Sequence, residues 1–306
     1  MCAKSISILL CLLSVAHTNA QEWRSDLSTY FDCVRKETFP AVPKSLLSTN
    51  AAPEILLFLT PLVGDTSYSV RSKAIELIYA VSSHAESPSI RGRGIELLFQ
   101  PCMNGDTEAA GTALELVTRF DRTDFTDMAK ESVTKLVRRN TLQYNEVMKL
   151  AAFLELRDLI PDIRIRSGPG NRAPIRWAAL LSLARLGDTD AISDIMARVK
   201  KLPVTDDLVY KVFPDLAFTR NKQLIGYMVE VLMSDSKDCL GADAEREMNI
   251  PCGYRIMEQL AVIIEGFPLV LDDFGDVKTN DYPAALRQVR EWFVNNTDYT
   301  IRNDRY

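Results

Sequence analysis

The chain has 306 residues, with 36 Lys and Arg against 41 Asp and Glu and a formal charge of −5 at pH 7. An acidic balance of this kind repels phosphate backbones, which argues against nucleic acid as a partner. Hydrophobic residues make up 47% and charged residues 25%, the composition of a chain that buries a core, and beyond residue 20 no apolar run reaches the roughly 20 residues that a bilayer span needs, so membrane insertion is not expected.

In chain order, residues 1–20 read as an export signal. Lys4 precedes an apolar run from Ile6 to Ala16, and Thr18-Asn19-Ala20 ends it with small residues where a signal peptidase cuts. This predicts a periplasmic or secreted protein. Cys2 and Cys11 leave with the signal, so Cys33, Cys102, Cys239 and Cys252 remain. An even number in an exported chain suggests two disulfides, for which three pairings exist. Cys239 with Cys252 is favoured, because they bracket a loop rich in Gly, Asp, Glu and Pro, and Cys33 with Cys102 follows by elimination. No cysteine pair has metal-ligand spacing, so neither a metal nor another cofactor is expected.

Residues 21–52 read as an N-terminal helix, over 21–37, and a linker broken by Pro40 and Pro43. Helices are then predicted over 53–63, 69–83, 89–100, 107–120, 124–138, 143–157, 174–186, 189–201, 205–218, 221–233, 252–265 and 282–295, with long connections at 158–173, 234–251 and 266–281. Val70, Ala74, Leu77, Ile78 and Val81 fall on one face of their helix, as do Leu224, Ile225, Met228, Val231 and Leu232. One helical phrase returns: Val70-Arg71-Ser72-Lys73-Ala74, Ile90-Arg91-Gly92-Arg93-Gly94 and Ile175-Arg176-Trp177-Ala178-Ala179. A repeated helical unit predicts an all-α array in which stacked hairpins bury one another's apolar faces. The array is placed over 53–266, with 267–306 as an acidic loop and a capping helix.

These residues resemble the HEAT-repeat family, in particular the short bacterial repeats named after phycobilisome lyases. The match lies in Leu59-Thr60-Pro61-Leu62 with Gly64-Asp65 and Val70-Arg71, and in Ile175-Arg176-Trp177-Ala178-Ala179 running on to Leu186-Gly187-Asp188-Thr189-Asp190-Ala191-Ile192. The resemblance implies a right-handed α-solenoid of the HEAT or armadillo kind. It also implies a structural ladder between repeats, built from an Asp and the Arg six positions later, here Asp65 and Arg71. Position 85 is Ala and position 170 is Gly where that Asp would precede Arg91 and Arg176, so the ladder is expected to break there.

Candidates for chemistry are few. Arg138, Arg139, Lys149, Arg157, Arg164, Arg166, Arg172 and Arg176 outnumber Glu146, Glu155, Asp158 and Asp162, and the stretch 164–176 can present Arg164, Arg166, Arg172 and Arg176 to a small anion or a protein carboxylate. The alternative is that these arginines pair locally and cover helix ends. The loop Asp272-Asp273-Phe274-Gly275-Asp276 gathers oxygen ligands but has Pro283 where an EF-hand carries its Glu. Outside the signal His84 is the one histidine, at a predicted helix end, and the chain has neither a phosphate-binding nor a dinucleotide-binding glycine motif. The reading that follows is an exported, non-catalytic scaffold of a bacterial envelope that binds a protein on its concave face and long loops. Two others stand beside it: an enzyme or enzyme accessory acting on a glycan or small substrate through concave-face carboxylates, and a self-assembling envelope component.

Overall fold

The computed structural model describes residues 22–47, 49–139, 143–241, 249–272 and 275–306. The predicted signal over 1–20 lies outside them. The described chain is all-α apart from one two-stranded ribbon, and it divides into two compact units, one running to Val147 and the other from Met148.

The first unit holds α1 (22–35), α2 (Ala52–Leu59), α3 (Tyr68–Ser83), α4 (Pro88–Leu98), α5 (Gln100–Asn104), α6 (Thr107–Val117) and α7 (Asp127–Arg139). α8 (Tyr144–Phe153) carries the division between the units. Prolines set most of the starts. Pro53, Pro88 and Pro101 stand in the first turns of α2, α4 and α5, where the missing N–H has no intrahelical acceptor to lose. Pro61 likewise turns the end of the predicted 53–63 helix into a 3₁₀ turn, Thr60–Gly64. α3 is central and packs against α2, α4 and α6. Its predicted stripe, Val70, Ala74, Leu77, Ile78 and Val81, is buried throughout, joined by Ile75.

α3 and α4 approach closely at Gly94. A Cβ there would overlap the side chain of Ser82, a buried residue whose hydroxyl donates to Ile78 O at 2.6 Å. The absence of a side chain at Gly94 therefore lets the two helices meet.

The second unit holds α9 (Ile160–Ser167), α10 (Ala173–Arg185), α11 (Thr189–Val199), α12 (Phe213–Phe218), α13 (Lys222–Leu232), α14 (Gly253–Ile263) and α15 (Tyr282–Asn295). Helices adjacent in sequence pack in turn, α9 on α10, α10 on α11, α12 on α13, α13 on α14 and α14 on α15, and α12 also packs on α10 and α14. α9 was not expected, since 158–173 reads as a connection. With only Ile160, Ile163 and Ile165 as apolar residues it shows little periodicity, and Pro161 in its first turn reads as a breaker although it starts the helix. The predicted 205–218 helix is interrupted by a π turn, Leu208–Val212, which ends two residues before Pro214. The proline ring cannot sit against the carbonyl four residues back and has no N–H to give it, so the turn widens.

Gly187 adopts φ 88° between α10 and α11, and Asp188 caps α11 by accepting from Ala191 N at 3.0 Å. β1 (Cys239–Leu240) pairs antiparallel with β2 (Asn249–Ile250), and the Cys239–Cys252 disulfide closes this ribbon. The second predicted bridge is not formed, because Cys33 and Cys102 are both free thiols. Cys102 is buried in α5 with its Sγ directed at Ala110 O, 3.8 Å away in α6. It packs as a small apolar residue, a role that pairing by elimination ignores.

In protein lacking the first 20 residues, titration with a thiol reagent should find two thiols after denaturation without reductant. Only Cys33 should react promptly in the native state, because burial pushes the Cys102 thiol up to about 12. Four thiols would remove the Cys239–Cys252 bridge.

Candidate functional site

Asp65 and Arg71, expected as one rung between repeats, meet through a main-chain oxygen. Arg71, the fourth residue of α3, donates through Nη1 to the main-chain carbonyl of Asp65 at 3.0 Å, not to its carboxylate. That carboxylate receives Arg35 Nη2 at 2.7 Å on one oxygen and Ser67 N at 2.9 Å on the other. The Arg35 guanidinium holds the Asp65 carboxyl below the usual carboxylate range. Arg71 Nε continues to Asp106 Oδ2 at 2.5 Å, while Asp106 Oδ1 caps α6 at Glu108 N and Ala109 N. Asp188 repeats the pattern in the second unit, with Oδ1 on the α11 cap and Oδ2 on Arg164. One carboxylate thus starts a helix and anchors an arginine from an earlier one.

The expected break at Arg91 does not occur. Arg91, fourth in α4, donates to Ala85 O at 2.7 Å and Glu86 O at 2.9 Å, and its Nε reaches Asp124 at 2.7 Å. Arg176, fourth in α10, wraps in the same way onto Pro169 O and Asn171 O. Because the near contact is made to carbonyls, the side chain six positions earlier is immaterial.

Of the four arginines proposed as a binding patch, Arg164 and Arg166 lie on α9 and Arg172 precedes the first residue of α10. Arg164 is committed to Asp188 and Arg176 to its own loop, and Arg172 is exposed. His84 follows α3, exposed, with Nδ1 near Ser83 Oγ and Ala80 O. In the 272–276 loop Asp272 Oδ1 accepts from Asp276 N, a turn-closing bond, and Asp273 and Phe274 lie outside the described residues. Among the described residues no group of three or more His, Cys, Asp or Glu is placed to hold a metal, and no helix is long and apolar enough to cross a membrane.

The arrangement that sequence reasoning missed is a groove in the second unit, about 370 Å³ in volume, lined by Lys149, Asp215, Phe218, Arg220, Gln259 and Val262. Both carboxylate oxygens of Asp215 are engaged, one by Lys149 Nζ and one by Trp177 Nε1, each at 2.7 Å. The π turn contributes Val209 O, which accepts from Gln259 Nε2 at 2.8 Å. The Arg185 guanidinium lies 4.7 Å from the Phe218 ring centroid and 5.2 Å from that of Phe153, and it donates to Phe218 O at 2.7 Å. Arg220 takes a left-handed backbone, φ 52°, and burial lowers its guanidinium to about 10. Neither Trp177 nor Phe218 stands in a sequence pattern that points to a site. What joins them to Lys149, Arg185 and Arg220 is tertiary, and no local pattern announces it.

On α14, Glu258 accepts from Tyr282 Oη at 3.0 Å, and burial raises its carboxyl above the usual range.

Comparison with protein-family models, with curated proteins and with solved structures gives no match to this chain. What fold and site define together is a class: an all-α protein of successively packed helices, tied by arginine–aspartate links, with a groove of mixed aromatic and cationic lining in its second unit.

Proposed function

We propose that the chain is an exported, non-catalytic scaffold whose hairpins stack as a right-handed HEAT-type α-solenoid and bind a protein partner. The observation that carries this reading is the recurrent link from Arg35 to Asp65, Arg71 to Asp106, Arg91 to Asp124 and Arg164 to Asp188, each joining one helix to the N-cap of a later helix or to the turn just before one. Links of that kind, repeated along the chain, suit units that contact only their neighbours, and such stacks serve by surface more than by cavity. Large apolar side chains left open to solvent agree with it: Leu57 is 66% exposed on α2 and Ile165 71% exposed on α9.

Two measurements test the proposal together. Small-angle scattering of the monomer should give a radius of gyration well above about 19 Å, the value for a compact chain of this length. Crosslinking in the native source should recover a partner, and Arg172→Glu should abolish that recovery while Arg164 and Arg176 keep their structural bonds. A compact radius removes the solenoid. Undiminished recovery removes the basic patch, and crosslinks to copies of this chain alone would favour the self-assembling alternative.

A further inference from the structure

We propose that a cavity in the second unit, bounded by the C-terminal end of α11, by α13 and by the residues that flank the β1–β2 ribbon, is a binding site for a small amphipathic cation, an ammonium or guanidinium carried on an apolar body. It is separate from the groove described above, and it goes beyond the scaffold reading.

The first observation is the lining. The cavity measures about 340 Å³, at the small end of the range that holds low-molecular-weight ligands. Its apolar part is Tyr227, Val231 and Cys252, all buried, and its polar part includes Lys200, Glu230 and Asp238, all exposed. Covering an apolar body against the first set supplies most of the affinity, and the second set selects its charge.

The second observation is the balance of that charge. Two carboxylates stand against one ammonium, an excess of one negative charge. Lys200 Nζ binds Glu230 at 3.2 Å, whereas Asp238 makes no ion pair among the described residues. A cation on the ligand therefore finds a carboxylate that the chain itself leaves uncompensated.

The third is a cation that the chain already places there. Lys200 Nζ lies 5.4 Å from the Tyr227 ring centroid, and that ring is steadied edge-on by Phe213 at 5.9 Å. An aromatic face beside a carboxylate is what an organic cation requires. The Lys200 side chain is half exposed, so it can swing aside and yield both to a ligand.

The fourth is rigidity. Asp238 directly precedes Cys239, and the disulfide ties Cys239 to Cys252 in the cavity wall. Leu240 N donates to Asp206 Oδ2 at 2.8 Å, which fixes the same strand from its other side. The Asp238 backbone is thus held against the apolar wall, and a site fixed in advance loses little entropy when it binds.

The probes are tryptamine, indole-3-propionate, which keeps the body and reverses the charge, and methylammonium, which keeps the charge and lacks the body. Binding to the disulfide-bonded protein and to its Asp238→Asn, Lys200→Met and Val231→Trp variants is followed at low salt by saturation-transfer NMR and shift titration. Tryptamine should bind with a Kd of about 1 mM or tighter, at least about fivefold tighter than indole-3-propionate and about tenfold tighter than methylammonium. Asp238→Asn should weaken tryptamine about threefold. Lys200→Met should tighten it about threefold, because it vacates Tyr227 and Glu230, whereas a site for anions would lose its cation and change in the opposite direction.

Val231→Trp should abolish binding by filling the cavity. Lys200 and Asp238 are exposed, so their exchange leaves the test intact even where Val231→Trp fails to fold. Absence of saturation transfer to tryptamine, equal affinity for the indole acid, or an unchanged Kd in Lys200→Met would each overturn the site. Tryptamine binding that survives Val231→Trp in a folded protein places the amine elsewhere and overturns it as well. None of these outcomes bears on partner recovery by crosslinking, so failure here is distinguishable from failure of the scaffold reading.

Discussion

Gly94→Ala should destabilise the first unit by about 2–3 kcal/mol, lowering its thermal transition by roughly 5–10 °C, although alanine is the better helix former. Two opposed terms decide the sign. Replacing a mid-helix glycine gains about 1 kcal/mol of propensity. Against it, the new methyl must share space with the Cβ and Oγ of Ser82, which is buried and anchored to Ile78 O. Since Ser82 sits on a helix backbone, α3 and α4 have to part. Ser82→Gly should therefore rescue Gly94→Ala, the double variant melting well above the sum of the single effects; calorimetry of the four proteins measures the coupling. A Gly94→Ala protein that melts at or above the parent would show that the helices do not meet there.

Asp106→Ala should cost about 3 kcal/mol, because it removes the cap of α6 and also takes from the Arg71 guanidinium, 16% exposed, the nearer of its two carboxylates, leaving Glu108 at 3.5 Å. An asparagine side chain retains the capping oxygen and loses the charge, so Asp106→Asn should cost about half as much. Denaturant melts separate the two contributions, and a double-mutant cycle with Arg71→Met isolates the pair. If Asp106→Asn and Asp106→Ala proved equal, the cap would contribute nothing and the carboxylate would act only on Arg71. A cycle with no coupling would remove the pair from the account of stability.

Much of this fold is legible from sequence because it is local. Stripes such as Val70, Ala74, Leu77, Ile78 and Val81 specify a helix and its buried side at once, and Gly187 with Asp188 specifies a turn. What escaped was of two kinds. α9 is short, weakly periodic and opened by a proline that reads as a breaker, so propensity favours a loop until α10 supplies the surface it packs on. The groove escaped because its members are separated by long stretches of chain: Lys149 and Trp177 meet on Asp215, and Arg185 and Arg220 converge on Arg305 O. The arginines that sequence did single out, Arg164 and Arg176, belong to the framework. Their regular placement reflects joints between helices, whereas the groove residues obey no period at all.

The joints at Arg71 and Arg91 grip main-chain carbonyls at their near end, through Asp65 and Thr66 in one case and Ala85 and Glu86 in the other. A carbonyl is present whatever amino acid occupies the site. Replacing the side chain at position 65 or 85 therefore leaves the near grip of Arg71 or Arg91 in place, so long as the backbone there keeps its path.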